Sequence, residues 1–133
     1  MSWKNEYKSK LTTAEKAVEL IKSGNRVVIG HACAEPSYLV DAMVANAESY
    51  HDVEIVHMVA MGKAGYAQPG MESHFRHNAL FVGGTTRKAV AEGRGDYTPC
   101  FFYRIPSLFT NGSLPVDVAL VQATPPDENG NIS

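Results

Sequence analysis

The chain has 133 residues, 44% of them hydrophobic, and sets 12 Lys and Arg against 14 Asp and Glu for a formal charge of −2. That length suits one domain and allows roughly two-thirds of the unfolded surface to be buried, while the near-neutral charge and the lack of a basic run exclude the electrostatic footprint of a nucleic-acid binder. No apolar stretch reaches membrane-spanning length, the polar start through Lys4, Glu6, Lys8 and Lys10 is no secretory signal, and two cysteines without metal or redox spacing, Cys33 and Cys100, make a cytoplasmic chain with reduced thiols and no metal the expectation.

Thr12-Thr13-Ala14-Glu15 fits a capping box with Thr12 as cap. Ala14, Ala17, Val18 and Ile21 follow at helical spacing and Gly24 ends the segment, which predicts a helix over 13–23. Arg26 to Gly30 is a β-branched run suited to a strand covered on both faces. After the loop His31 to Glu35, Pro36 opens a helix whose apolar stripe is Leu39, Val40, Met43, Val44 and Ala47. A second strand is predicted over 53–59, a third over 80–82, a fourth over 99–105 and a fifth over 116–123. A helix follows Gly83-Gly84-Thr85-Thr86 through Glu92, and a helical turn covers 106–109. Pro125-Pro126 breaks the last strand, and Asn129-Gly130 is a hairpin signal with only Asn131, Ile132 and Ser133 left to return. The expectation is therefore a domain truncated at its C-terminal end.

Helix and strand alternate, which implies an α/β fold: a mostly parallel open sheet with helices on both faces. Ligands of such sheets gather at the carboxyl ends of the strands. Four loops carry weight on that ground: 31–35, 60–66, 83–87 and 124–129.

Val28–Pro36 (VIGHACAEP), Asp41–Ala47 (DAMVANA), His57–Lys63 (HMVAMGK), Ala91–Pro99 (AEGRGDYTP) and Val116–Gly130 (VDVALVQATPPDENG) together resemble the amino-terminal domain of the acetyl-CoA hydrolase/transferase family, in the style of its 4-hydroxybutyrate and butyryl-CoA:acetate transferases. The resemblance covers nearly the whole chain; Thr124 stands where serine is usual before the two prolines. It implies a CoA-transferase-like fold in which residues 1–133 form one of two domains. The implied reaction is ping-pong transfer of coenzyme A, as substrate, from an acyl-CoA to a small carboxylate. The implied nucleophile is a glutamate in the carboxy-terminal domain, outside this chain, as is the glycine-rich segment that contacts CoA.

Within the chain, the candidate substrate-binding residues are His31, Glu35, Met61, Gly62 and Lys63, and none is expected to be catalytic. Glu35, just past a strand, could attack a thioester, but capping the helix at Pro36 or shaping the pocket is the favoured reading. Backbone N–H groups of Met61-Gly62-Lys63 could meet a carboxylate or thioester oxygen, and Lys63 could steer an acid. Gly83 to Arg87 has the look of an anion cradle without P-loop or dinucleotide spacing, and Arg87 is read as pairing with an internal acid. Cys33 is read as small-residue packing, Cys100 and His57 as core or edge, and His51, His74 and His77 as surface.

Alone, the chain is expected to show no turnover, to expose an apolar face and to associate, as a homo-oligomer in the complete enzyme. Two alternatives stand beside this reading: a non-catalytic half that pairs with a second chain, and an acyl-CoA hydrolase. A free-standing sugar-phosphate isomerase would need a phosphate loop dense in carboxylates and lysines, which these loops do not present.

Overall fold

The computed structural model describes residues 2–133. Five strands form one wholly parallel sheet: β1 (Arg26–Ile29), β2 (Val53–His57), β3 (Phe75–Ala79), β4 (Gly95–Tyr97) and β5 (Val118–Leu120). Their order across the sheet is β4-β3-β2-β1-β5. The chain thus winds outward from β1 through β4, then returns to place β5 on the far side of β1. That reversal between β1 and β5 is the topological switch point, beside which ligands of such sheets gather at the carboxyl ends of the strands.

Alternation along the strands sorts side chains to two faces. Val27, Ile29, Val53, Ile55, His57, Phe75 and His77 point to one. Three short helices lie over it, α2 (Ala14–Val18), α3 (Ser37–Ala45) and α4 (Arg87–Ala91), contributing Val18, Val40, Met43 and Ala89 to the main core. Val28, Val56 and Leu80 belong to the opposite face, where α5 (Ile105–Thr110) and Leu114 cover them in part. On that face Glu54 carries a polar ladder: it accepts from Arg26 Nε at 2.6 Å and from Asn78 Nδ2 at 2.8 Å, and Thr98 donates to Asn78 Oδ1 at 2.8 Å.

Several elements depart from the sequence expectation. The third strand is Phe75–Ala79, not 80–82: its buried positions include His77 and Asn78, so it lacks the apolar signature that drew attention to Leu80-Phe81-Val82. The fourth is Gly95–Tyr97, not 99–105. Pro99 cannot donate to a ladder, and Phe101, Phe102 and Tyr103 turn outward, 70–73% exposed, through a 3-10 turn at Phe102–Arg104. The first predicted helix shortens to Ala14–Val18, and Thr13 rather than Thr12 caps it, accepting from the Lys16 N–H at 3.3 Å. A polar helix with no buried side chain, α1 (Trp3–Lys10), precedes it and has no apolar stripe to betray it.

The Asn129-Gly130 segment makes a turn but no strand ladder. Gly130 adopts φ 88°, the Asp127 carboxylate accepts from the N–H groups of Asn129 and Asn131, and the Thr124 N–H donates to the Ser133 carbonyl at 2.8 Å. No helix among the described residues is long and apolar enough to cross a membrane.

Candidate functional site at the carboxyl ends of the strands

The loops after β1 and β2 meet above the sheet, and Glu35 is where they join. Its Oε2 accepts from the backbone N–H of Met61 and of Gly62, each at 2.9 Å. The side chain is 4% exposed. Glu35 does not cap α3, whose N-cap position is Pro36 and whose N-terminus receives no side-chain hydrogen bond; its carboxylate reaches across to the other loop instead. The Met61 and Gly62 N–H groups that sequence reading assigned to a substrate oxygen are therefore occupied by the protein's own carboxylate. Gly62 lets the carboxylate sit this close, because a β-carbon there would overlap Glu35 Oε1 and push it aside.

Both loops are held in uncommon backbone conformations. Ala32 (φ 53°) and Ala64 (φ 47°) sit in the left-handed region, which costs a non-glycine residue on the order of 1 kcal/mol. The Ala32 N–H donates to the Val59 carbonyl at 3.0 Å, tying the first loop to the end of β2, and the Thr85 hydroxyl donates to the Ala60 carbonyl at 2.9 Å. The loop opening at Gly83 thus braces the loop after β2; its helix is a single short turn, and Arg87 is exposed with no acid partner among the described residues, against the pairing expected for it.

Beneath Glu35 lies a buried polar stack. His57 Nδ1 is 2.7 Å from the Tyr66 hydroxyl, and the Tyr66 and His77 rings are 5.4 Å apart. His57 Nε2 lies 3.9 Å from Glu35 Oε2 and has no hydrogen-bond partner among the described residues. With the Tyr66 O–H donating to Nδ1, the ring proton falls on Nε2, facing the carboxylate. Burial holds His57 below the ordinary histidine range, against the opposing pull of the Glu35 charge and the Gly30 backbone. Burial pushes the Tyr66 hydroxyl up, so it stays a donor. His77, expected at the surface, is 1% exposed and is held down to about 4 by burial. His74 is likewise partly buried, with Nδ1 2.8 Å from the Tyr50 carbonyl.

A separate apolar cavity of about 270 Å³ opens on the other face of the sheet, beside the ends of β1 and β2. Val28, Ile29, Val56, Met58, Leu80, Phe102, Tyr103, Ile105, Pro106 and Phe109 line it, and His31 is the single ionisable side chain besides the Tyr103 phenol. The five residues selected from sequence therefore divide. His31 is exposed and lines the cavity; Glu35, Met61 and Gly62 form the loop junction and do not line it. Lys63 turns to solvent and donates to Asp41 at 2.7 Å. Cys33, expected to pack, is exposed. Three residues of the candidate site, Tyr66 in the buried stack and Phe102 and Tyr103 on the cavity wall, carried no motif in the sequence. Among the described residues no cluster of His, Cys, Asp and Glu has metal-ligand geometry.

An all-parallel α/β sheet with a reversal beside β1 carries two braced strand-end loops and an apolar cavity with a lone histidine at its carboxyl edge. The chain belongs to the acetyl-CoA hydrolase/transferase family: residues 1–133 match the model of that family's N-terminal domain. It is 60% identical over 133 residues to a 4-hydroxybutyrate coenzyme A transferase of Clostridium kluyveri, covering all of this chain and 31% of that protein. It is 36% identical over 121 residues to a succinyl-CoA:acetate/propanoyl-CoA:succinate CoA transferase of Fasciola hepatica, covering 90% of this chain and 25% of that one. Among solved structures, a 4-hydroxybutyrate CoA-transferase from Porphyromonas gingivalis superposes with a TM-score of 0.78 at 32% identity, over 99% of this chain and 29% of its own. RipA from Yersinia pestis shares the fold, with a TM-score of 0.90 at 24% identity over 100% of this chain and 33% of its own. The chain thus spans about a third or less of the length of these relatives.

Proposed function

We propose that this chain is the amino-terminal part of an acyl-CoA:carboxylate CoA-transferase of the acetate or 4-hydroxybutyrate type. The observation that carries the reading is the 60% identity, without a gap in coverage, to a 4-hydroxybutyrate coenzyme A transferase. The geometry supports it. A cavity of about 270 Å³ with one imidazole at its wall suits a short acyl chain with a polar terminus better than a bulky or charged one.

In the proposed reaction a glutamate carboxylate outside this chain attacks the thioester carbonyl. The C–S bond breaks, leaving a mixed anhydride and the CoA thiolate. The thiolate attacks the glutamyl carbonyl, the acyl group departs as a carboxylate, and a glutamyl-CoA thioester remains. A second carboxylate reverses both steps and leaves as the new acyl-CoA. His31 would contact the acyl group, Glu35, Met61 and Gly62 would hold the two strand-end loops beside the cavity, and Lys63 would stand at the outer edge as an attraction for anions. The remaining domain, an acyl-CoA, a small carboxylate and further copies of the protein are the proposed partners.

Hydrolysis is the second reading, favoured by the family's own description as hydrolase and transferase. The two differ only in whether water reaches the glutamyl thioester. Incubating the complete protein with acetyl-CoA and 4-hydroxybutyrate separates them: appearance of 4-hydroxybutyryl-CoA supports transfer, and release of free CoA at the same rate with and without the acceptor supports hydrolysis.

A further inference from the structure

We infer that Glu35 is a positioning residue, a buried carboxylate clamp that holds the loop after β2 against the loop after β1 and thereby fixes the strand-end loops beside the cavity. Where this touches turnover it rests on the CoA-transferase reading above; the clamp itself rests on geometry alone.

Three observations carry it. One carboxylate oxygen accepts two consecutive backbone N–H groups, from Met61 and Gly62 at 2.9 Å each, from a side chain 4% exposed. Charge-assisted bonds of this kind in a dry setting are among the strongest local constraints on a loop. Second, no Lys or Arg neutralises this carboxylate among the described residues: the neighbouring Lys63 is committed to Asp41, and the group facing Glu35 is His57 Nε2 at 3.9 Å. A buried charge satisfied mainly by backbone amides is tied to them, because moving the loop would strand it. Third, Gly62 packs directly on the carboxylate: a β-carbon there would overlap Glu35 Oε1 and displace the carboxylate from its seat. The pair Glu35 and Gly62 is thus mutually specified. His57 and Tyr66 form the floor that keeps the carboxylate in place. Oε2 serves both donors, so this end of the carboxylate is committed to the loop.

The experiment is a cycle of E35A, G62A and the double variant in the complete protein, with E35Q as the conservative control. Amide hydrogen exchange of the peptide spanning residues 58–66 and steady-state kinetics are both read. E35A is expected to speed exchange of the Met61 and Gly62 amides about ten- to a hundredfold, the loss of a hydrogen bond to a charged group, while peptides from β1 and β3 keep their protection. E35Q, which retains an acceptor oxygen, is expected to recover most of that protection. G62A is expected to do in the parent what E35A does, and to add less than about threefold in the E35A background, where the overlap is gone. With acyl-CoA as substrate, E35A is expected to raise KM more than it lowers kcat. Unchanged exchange in E35A, or fully additive effects of the two substitutions, would overturn the clamp. Altered exchange with both kinetic constants unchanged would overturn its role in setting the site. A parent protein that transfers no CoA would overturn the functional reading, and the exchange cycle would still decide the clamp.

Discussion

The Tyr66 hydroxyl lies 2.7 Å from Nδ1 of His57, and both side chains are sealed from solvent. Removing that hydroxyl leaves a buried ring nitrogen without a partner and a small void beside it. Y66F is expected to destabilise the fold by about 1–3 kcal/mol, the cost of one unsatisfied buried polar group. A chemical-denaturation midpoint lowered at constant slope would bear this out; an unchanged midpoint would mean that the pair contributes nothing.

Stability is expected to fall on mild acidification. His77 is held down to about 4, chiefly by burial, and His57 is lowered for the same reason, whereas an unfolded histidine titrates near ~6.5. Below that value the unfolded chain takes up protons that the folded chain refuses. The stabilisation is complete above ~6.5, is lost as pH falls toward about 4, and levels off below. The His77 shift alone corresponds to about 3 kcal/mol. Between pH ~6.5 and ~5.5 ordinary carboxylates stay ionised, so the upper part of this window belongs to the histidines. Denaturation midpoints across it, for the parent and for H77Q, are expected to show a shallower slope in the variant.

Lys63 and Asp41 form an exposed pair at 2.7 Å, and such pairs contribute about 0–1 kcal/mol. K63A is therefore expected to leave thermal stability nearly unchanged. On the proposed function it should raise KM for the carboxylate about threefold at low salt, with kcat unaffected, and the difference should shrink above physiological ionic strength. A kcat loss greater than KM loss would place Lys63 in the chemistry instead.

His31 is the lone imidazole on a wall of aliphatic and aromatic groups. H31A is expected to discriminate between substrates: kcat/KM for a hydroxylated four-carbon acyl-CoA should fall about tenfold relative to the unsubstituted acyl-CoA, the magnitude of one lost hydrogen bond to a neutral group. Equal losses on both would assign His31 a purely structural part.

The sequence made the architecture legible wherever burial and apolarity coincide. Val27, Ile29, Val53 and Ile55 marked the central strands, whereas Gly24, read as the stop of the first helix, lies in a later turn with φ 79° because that helix ends at Val18. It misled where they part company. β3 buries His77 and Asn78, whose polar atoms hydrogen-bond to the Ile55 carbonyl and to Glu54, so no window of residues 75–79 reads as core. The aromatic run Phe101-Phe102-Tyr103 reads as strand but is exposed beside the cavity. At the site, strand-end position singled out Glu35 and Gly62 but not their relation. The contact spans 27 residues and depends on how two loops are pressed together, a distance at which local pattern carries no signal. Tyr66 was missed for the same reason: its partner His57 lies one strand end away and its burial comes from α3 and the sheet.

Thioester exchange through an enzyme-bound CoA is the central step of the proposed reaction. The complete protein should be mixed with acetyl-CoA and isotopically labelled acetate, with no other carboxylate present. A ping-pong transferase predicts that label enters acetyl-CoA, because the first half-reaction reverses by itself. Absence of label in acetyl-CoA, from protein that is folded and binds the thioester, would contradict it.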